Sequence, residues 1–257
     1  MKIENTLEKE VELAVALKVG NEEYNTVTIR EVTGLDEEAV SQPIYKKNPI
    51  GLYHELVYRC ITEVAGLDKP ITKNYIKSLT IGTLDQLAYE IRKISVGDDY
   101  EYSEVCPECN TRNEGVINLA DFIQVEKGNR TIDISLKRGI LVNDKRIKDI
   151  TLIYPTGQYQ ERAFKESASD LLNKKNDDFS IPKFGEITSS LVYSCISNKE
   201  ELGITTDIVK SMSTIDRKDI AKKLQKTPGL KQIIEIPCNK CSNDKIKHTV
   251  NLIDFLL

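Results

Sequence analysis

Alternation of apolar and polar residues predicts that the chain opens with a β-hairpin. Residues 11–18 alternate at a period of two, and residues 26–32 do so again after the polar, glycine-containing stretch 20–23. Beyond Gly34 the spacing of the apolar residues lengthens to that of amphipathic helices. The first half of the chain is therefore predicted to be a hairpin followed by helices.

Two apolar stripes at helical spacing define the predicted helices of this half. They comprise Leu52, Leu56, Val57, Cys60 and Ile61 in the first stripe, and Leu84, Leu87, Ala88, Ile91 and Ile94 in the second. Thr83 and Gln86 have the spacing of a capping box at the start of the second helix, and Gly97 is placed to end it. Acidic residues 36–38 are expected at a helix start or in a solvated turn.

The same order of patterns recurs in the second half of the chain. Residues 132–136 and 150–154 alternate on either side of a turn at 143–146, and helical spacing follows, with a last helix over 216–226 ended by Pro228. Because the order of elements is repeated, the chain is predicted to contain two copies of one unit.

Matching segments of the two halves are separated by similar numbers of residues along the sequence. Residues 27–34 match 150–157 at an offset of 123 residues, and residues 56–61 match 191–196 at an offset of 135. The offset then settles at 132 to 133 residues, as in the recurrence of residues 76–79 at 209–212, and a polar insertion at 173–179 accounts for the longer second copy.

A short cysteine motif, called a knuckle below, lies near the end of each half: Cys106-Pro-Glu-Cys109 and Cys238-Asn-Lys-Cys241. The flanking extended stretches are residues 100–105 and 116–122 in the first half, and residues 232–236 and 249–255 in the second. Both second stretches end in the pattern Asn-Leu-x-Asp-Phe. Each knuckle is therefore predicted to be a strand, a turn and a strand, which is half of a zinc ribbon.

These patterns together predict an α+β fold built by tandem duplication. Each unit has an N-terminal β-hairpin, a helical bundle and a C-terminal half zinc ribbon. The first repeat spans residues 1–125 and the second spans 126–257, with the polar segment 126–130 as the linker. Each repeat has the size of an ordinary domain, about 100–150 residues.

Cys106, Cys109, Cys238 and Cys241 predict one metal site shared by the two halves. Zinc favours four tetrahedral ligands and commonly takes thiolates, so two cysteines from each half complete a structural site with one Zn²⁺ per chain. Three alternatives stay open: four free thiols at two tight turns, a redox-active disulfide within a knuckle, and a site completed by a knuckle of another chain. His248, seven residues after Cys241, is a spare candidate ligand.

Composition restricts the function classes. The 257 residues are 40% hydrophobic and 30% charged, as in globular proteins, with a formal net charge of −4. The sequence has no glycine-rich phosphate loop, its two histidines, His54 and His248, belong to no catalytic pattern, and a four-cysteine zinc site has no open coordination position. We therefore expect a protein that is not an enzyme.

Two further expectations concern cysteine burial and cellular compartment. Cys60 and Cys195 lie in apolar helical patterns and are expected to be buried as small hydrophobic residues. The first ten residues contain no apolar signal segment, and no stretch is long enough to span a bilayer. Synthesis and residence in a cytoplasm, without membrane insertion, are expected.

Nucleic-acid binding is the alternative function, because zinc ribbons often bind DNA or RNA. The residues around the knuckles mix charges, with Glu101, Glu104 and Glu114 against Arg112. The largest basic cluster comprises Lys222, Lys223, Lys226 and Lys231, where a solvated helix end is a sufficient explanation. A zinc-ribbon adaptor for nucleic acid or a transcription complex therefore remains open, with a strongly salt-dependent affinity as its signature.

Three motifs of the first half carry a family resemblance. They are residues 28–36 after the hairpin, the helix ending at residues 89–97, and the run 102–109 into the first knuckle. With these motifs, residues 27–122 resemble the baseplate hub and hub-assembly proteins of T4-type phages, and more loosely the tail assembly chaperones of contractile-tailed phages. The second half resembles that family through the internal repeat.

The resemblance implies a non-enzymatic structural or assembly component of a contractile-tail baseplate hub. Such a protein works through contacts with other tail and hub proteins, including further copies of itself where the hub is symmetric. It is assembled in the cytoplasm of the bacterial host and located in the virion. The resemblance also implies that the four knuckle cysteines have a structural role and not a catalytic one.

Overall fold

The protein, described by a computed structural model, forms two compact units. Residues 6–46, 48–172 and 189–254 are described. Unit 1 comprises Met1–Ile76, Gly82–Gly128 and Pro228–Leu257, and unit 2 comprises Lys77–Ile81 and Asn129–Thr227. Both knuckles belong to unit 1, because the chain returns to it at Pro228. The predicted insertion at residues 173–179 lies outside the described residues.

The described chain consists of groups of strands separated by groups of helices. The strands are β1 (Glu8–Val19), β2 (Glu22–Arg30), β3 (Ile61–Val64), β4 (Asp99–Val105), β5 (Arg112–Asn118), β6 (Val125–Glu126), β7 (Thr131–Val142), β8 (Lys145–Ile153), β9 (Gly229–Leu230), β10 (Ile233–Ile236) and β11 (Ile246–Thr249). The helices are α1 (Gly34–Val40), α2 (Pro43–Lys46), α3 (Pro49–Cys60), α4 (Lys73–Ser78), α5 (Ile81–Val96), α6 (Gly157–Leu172), α7 (Ser189–Cys195), α8 (Thr206–Lys210) and α9 (Thr214–Leu224), and a 3₁₀ turn spans Leu119–Asp121.

The predicted N-terminal hairpin is confirmed as β1 and β2. Strand β3 pairs with β2 in an antiparallel sheet of order β1-β2-β3. The inward-facing apolar residues of β1, such as Val11, Leu13 and Leu17, are buried, in keeping with their alternation. Ile61, predicted on a helix, is instead the first residue of β3.

The predicted capping box at Thr83 and Gln86 is wrong. Helix α5 begins before both residues, and their side chains are buried. Gln86 Oε1 accepts a hydrogen bond from Ala14 N at 2.8 Å, and Thr83 Oγ1 accepts one from Val15 N at 3.2 Å. These N–H groups lie in the register shift of β1 between Glu12 and Leu17. The helix side chains therefore bind an irregular segment of the strand.

The predicted end of the same helix is confirmed. Gly97 has φ of +88°, and its N–H donates to Lys93 O at 3.0 Å. Glycine adopts such a left-handed conformation at little cost, which is why it commonly follows a helix.

The hairpin of unit 2 is the predicted pair β7 and β8. Its turn residues Asn143 and Asp144 both have positive φ, 46° and 59°, as in a type I′ turn. Strand β7 has a register shift between Ser135 and Ile140. Asp216, buried in the first turn of α9, accepts hydrogen bonds from the backbone N–H groups of Lys137 at 2.7 Å and Arg138 at 3.1 Å.

The apolar core of unit 2 lies between this hairpin and helices α7, α8 and α9. Its buried members include Ile140, Leu152, Val192, Ile196, Val209, Ile220 and Leu224. Among the described residues, no helix is long and apolar enough to cross a membrane.

A close backbone contact holds the returning chain in unit 1. Strand β9 pairs with β6 next to the first turn of α5. A Cβ atom added at Gly82 would lie 2.1 Å from Pro228 O, and one added at Gly229, whose φ is +125°, would lie 2.1 Å from Gly82 C. Both positions therefore require glycine.

We expect Gly82→Ala to lower the free energy of unfolding of unit 1 by about 1–3 kcal/mol, since the added methyl group overpacks against backbone that cannot rotate away. Gly34→Ala is the matched control, because no heavy atom lies within 4 Å of its added Cβ. Its expected change is within about 0.5 kcal/mol. Denaturant unfolding of both variants measures the difference, and equal effects would contradict the contact.

Candidate metal centre

The first knuckle is the turn between β4 and β5. Cys106 N donates to Thr111 O at 2.9 Å, and Asn110 N donates to Cys106 O at 2.9 Å. Asn110 has φ of +55°, a left-handed conformation that asparagine tolerates better than most residues. This tight turn places Cys106 and Cys109 at the end of the hairpin.

The second knuckle is the corresponding turn between β10 and β11. Cys238 N donates to Asn243 O at 2.7 Å, and Lys240 N points at Cys238 Sγ at 3.4 Å. The side-chain amide of Asn243 donates to Cys106 Sγ of the first knuckle at 3.5 Å. The two turns therefore face each other, as the predicted pairing of the knuckles requires.

The four knuckle sulfur atoms form one cluster within a single chain. All four lie within 4.8 Å of one another. The Cys106 and Cys241 sulfurs are 3.7 Å apart, as are those of Cys109 and Cys238. A disulfide requires about 2.05 Å, whereas sulfurs at about 2.3 Å from a tetrahedral zinc lie about 3.8 Å apart. The spacing fits a tetrahedral metal, and all four cysteines are free thiols in this arrangement.

The thiols of the cluster have unequal acidity. Backbone N–H groups, first that of Cys109, lower the pKa of Cys106 to about 6. The pKa of Cys238 is lowered, chiefly by the N–H of Lys240. For Cys241 the N–H of Asn243 also favours the thiolate, but burial and the neighbouring thiols outweigh it and raise the pKa to about 12. Four adjacent thiolates repel one another, so all four ionise together only around a cation.

Asn113 connects the two knuckles and was not identified from the sequence. Its side chain is fully buried. Its Nδ2 donates to Thr111 O of the first knuckle at 2.8 Å, and its Oδ1 accepts from Asn239 N of the second at 2.7 Å. The amide thereby fixes the distance between the two turns that carry the cysteines.

We expect Asn113→Ala to weaken metal binding about 10–100-fold, as loss of outer-shell partners of a metal site typically does. Glu114→Ala is the neighbouring control, because that side chain is exposed. Competition titration with a chromophoric zinc chelator measures both affinities. Equal affinity of the two variants would mean that Asn113 does not support the site.

His248 joins the hairpins at a second point and is not part of the cluster. Its Nδ1 lies 2.8 Å from Glu104 Oε1 and its Nε2 lies 3.2 Å from the Tyr100 hydroxyl. That hydroxyl also accepts the N–H of Asn251 at 3.1 Å. The role of spare ligand suggested by the sequence is therefore replaced by a structural one between β4 and β11.

The other two cysteines are buried away from the cluster, as predicted. Cys60 ends α3 and Cys195 ends α7. Burial raises the pKa of each thiol to about 12, so neither is a reactive thiolate near neutral pH.

Asp36 lies in the first turn of α1, one of the two places expected for residues 36–38, but it belongs to a buried ion network and not to a solvated turn. Asp36 is fully buried, with Arg30 Nη1 and Nη2 donating to its carboxylate at 2.6 and 2.9 Å and Arg59 Nε donating at 2.7 Å. Thr33 N and Oγ1 complete its partners at 3.0 and 2.8 Å. A buried carboxylate requires such partners, and the two arginines lie on β2 and α3.

Comparison with known proteins identifies a family that the chain matches. The family model described as T4 bacteriophage base plate protein matches residues 11–257, nearly the whole chain. No curated protein and no solved structure matches the chain. The match extends well beyond residues 27–122, on which the resemblance seen in the sequence rested.

Proposed function

Because the chain belongs to the T4 bacteriophage base plate protein family and is thus a virion tail component, we propose that it is a non-enzymatic structural or assembly component of the baseplate hub. In this role it binds other tail proteins, and its four-cysteine cluster holds a structural Zn²⁺. The family match supports the assignment to the tail, and the cluster of four cysteine sulfurs supports the proposal of a structural Zn²⁺.

The zinc proposal rests on the chemistry of the donor set. Four sulfurs within 4.8 Å of one another suit zinc or iron, and no His, Asp or Glu joins them among the residues that the structure describes. Zinc here neutralises thiolates and joins two hairpins that are far apart in sequence, β4–β5 and β10–β11. Such a site contributes to folding and leaves no position for a substrate.

We also propose that the chain arose by tandem duplication, with the repeats 1–125 and 126–257 read from the sequence. The two N-terminal hairpins support it, because each pairs a 12-residue strand with a 9-residue strand. Both first strands have a register shift, at Glu12/Leu17 and at Ser135/Ile140, and each end of the second shift follows the first by 123 residues. A shared irregularity at one offset is harder to acquire independently than a regular hairpin.

The partners of these irregular segments support the same proposal. Ala14 N and Val15 N are bound by Gln86 and Thr83 of α5. At the same offset of 123 residues, Lys137 N and Arg138 N are bound by Asp216 of α9. Different side chains thus perform one task at corresponding places, as expected of diverged copies.

Charge pairing favours protein contacts over nucleic-acid binding. Arg112, beside the first knuckle, is paired with Glu114 at 2.7 Å, and Lys231 is paired with Glu126 at 2.5 Å. Paired cations contribute little to phosphate binding, which depends on uncompensated positive charge. We therefore propose protein contacts in preference to the nucleic-acid binding considered from the sequence.

Quantitative mass spectrometry of purified phage particles and of their assembly intermediates tests the proposed role. A structural hub component is expected in mature particles at a fixed ratio to the other baseplate proteins. An assembly factor is expected in intermediates and at much lower amount in mature particles. Absence from both fractions, while other baseplate proteins are detected, would refute the proposal.

A further inference from the structure

A cavity in unit 2 has a positively charged wall, with no carboxylate among the described residues that line it. Its volume is about 360 Å³, within the range of small ligand sites. Tyr159 and Arg162 line it from α6, and Tyr193 and Ser194 line it from α7. Lys199 completes the charged wall, and no Asp or Glu is among the described lining residues.

The cations of this wall have only neutral partners among the described residues. Arg162 Nη1 donates to Ser194 Oγ at 2.5 Å, and Lys199 Nζ donates to Ile196 O at 2.9 Å while lying 5.4 Å from the centre of the Tyr193 ring. A carboxylate is a stronger acceptor for these groups than a hydroxyl or a carbonyl, because the bond is then charge-assisted at both ends.

The first turn of α6 also faces the cavity. Thr156, Gln158 and Tyr159 line it around the start of this helix at Gly157. A helix start carries partial positive charge, which adds to that of Arg162 and Lys199, although its first N–H group, that of Gly157, already donates to Leu79 O at 3.1 Å. The cavity is thus complementary to an anion with an apolar stem, since tyrosine rings make up much of the remaining wall.

The lining of this cavity corresponds in part to the buried ion network of unit 1. Arg30, Asp36 and Arg59 form that network. At offsets of 123, 123 and 135 residues these positions become Ile153, Tyr159 and Ser194, and all three line the unit 2 cavity. The carboxylate and both arginines of the network are thus replaced by uncharged residues, and the cations of the cavity come from other positions.

We propose that this cavity binds the carboxylate of an acidic side chain from a neighbouring polypeptide, with Arg162 and Lys199 as its cationic partners. The acidic group becomes the charged acceptor for both cations, and the tyrosine rings contact its methylene stem. The inference rests on the charge and the lining of the cavity and does not depend on membership of the baseplate. It adds a specific docking site to a protein whose proposed role is to bind other chains.

The test uses the purified full-length chain labelled with 3-fluorotyrosine, with the resonances of Tyr159 and Tyr193 assigned by Tyr→Phe variants. The probes are the capped tripeptides acetyl-Gly-Glu-Gly-amide and acetyl-Gly-Gln-Gly-amide, with acetate and inorganic phosphate as small anions. The glutamate peptide is expected to shift both resonances in a saturable manner, and the glutamine peptide is expected to leave them in place.

Variants of the wall identify the binding groups. Arg162→Gln and Lys199→Gln are each expected to weaken the response to the glutamate peptide about tenfold, the effect of losing one hydrogen bond to a charged group. Lys165→Gln is the matched control, since this residue is exposed on the same helix but does not line the cavity. It is expected to bind like the wild type.

Several results would overturn the inference. Shifts with acetate or phosphate but not with the glutamate peptide would make the cavity a small-anion site. No shift with any probe, or equal loss of binding in Lys165→Gln, would remove the site altogether. Because these measurements use the isolated chain, they are independent of whether the protein is found in phage particles.

Discussion

Replacing Cys106 by serine is expected to release the metal and to abolish the cooperative unfolding of unit 1. A serine hydroxyl stays protonated at neutral pH and is a poor zinc ligand, so three thiolates remain. Structural zinc contributes roughly 10–16 kcal/mol of apparent binding free energy in small zinc peptides. Loss of even part of this is large against the net stability of about 5–15 kcal/mol of a typical protein.

The control for this substitution is Cys195→Ser, which makes the same chemical change at a buried cysteine in unit 2. It should cost about 1–3 kcal/mol for burying a hydroxyl and leave the metal bound. Circular dichroism follows unfolding, and limited proteolysis with mass spectrometry locates the unfolded segments. If Cys106→Ser kept the stability and the metal content of the wild type, that result would contradict a structural metal site at this cluster.

Substitution of Asp36 by alanine is expected to lower the free energy of unfolding by about 3–5 kcal/mol. The change leaves Arg30, only 1% exposed, as a buried cation without its partner. Arg30 Nη1 and Nη2 also donate to the carbonyl oxygens of Glu31 at 2.8 Å and Arg59 at 2.9 Å, but these neutral acceptors do not balance its charge, and its buried Nε has no hydrogen-bond partner. Denaturant unfolding measures the loss.

The exposed pair Asp207–Lys210 provides the control. Both side chains are more than half exposed, and Asp207→Ala should leave the free energy of unfolding nearly unchanged, because solvent screens this pair. A comparable effect of the two substitutions would mean that the buried network contributes no more than a surface ion pair.

The same network predicts a pH dependence of stability. Burial alone would raise the pKa of Asp36, but hydrogen bonds from Arg30, Arg59 and Thr33 outweigh it and hold the pKa well below its ordinary value. The unfolded chain therefore takes up a proton at higher pH than the folded one, and the stabilisation is lost as pH falls below about 4. The stability difference between wild type and Asp36→Asn should shrink from about pH 6 to about pH 3.

Local patterns were sufficient for the hairpins and for the knuckles. The alternation in residues 11–18 and 132–136 indicates which face of each strand is buried. Each C-x-x-C motif predicts a tight turn at its own position. The meeting of Cys106 with Cys241, 135 residues apart, was predicted from the repeat and from the four-ligand preference of zinc. These inferences need only short stretches of sequence and one rule of metal chemistry.

Features that depend on distant partners were missed or misassigned. Thr83 and Gln86 have the spacing of a capping box, but only the irregular segment of β1 makes them partners of a strand. In the sequence, Asp36 cannot be distinguished from any other acidic residue near a helix start. Its hydrogen bonds to Arg30 and Arg59 form only in the folded chain. Asn113 is one asparagine in a polar hairpin, and its role depends on the position of the second knuckle.

Metal content of the purified chain tests the central claim most directly. Elemental analysis for zinc and iron, combined with native mass spectrometry, gives the metal and its number per chain. The account predicts one zinc per wild-type chain, one in Cys195→Ser and none in Cys106→Ser. A wild-type chain that is folded without metal, or that holds its metal equally well after loss of Cys106, would contradict it.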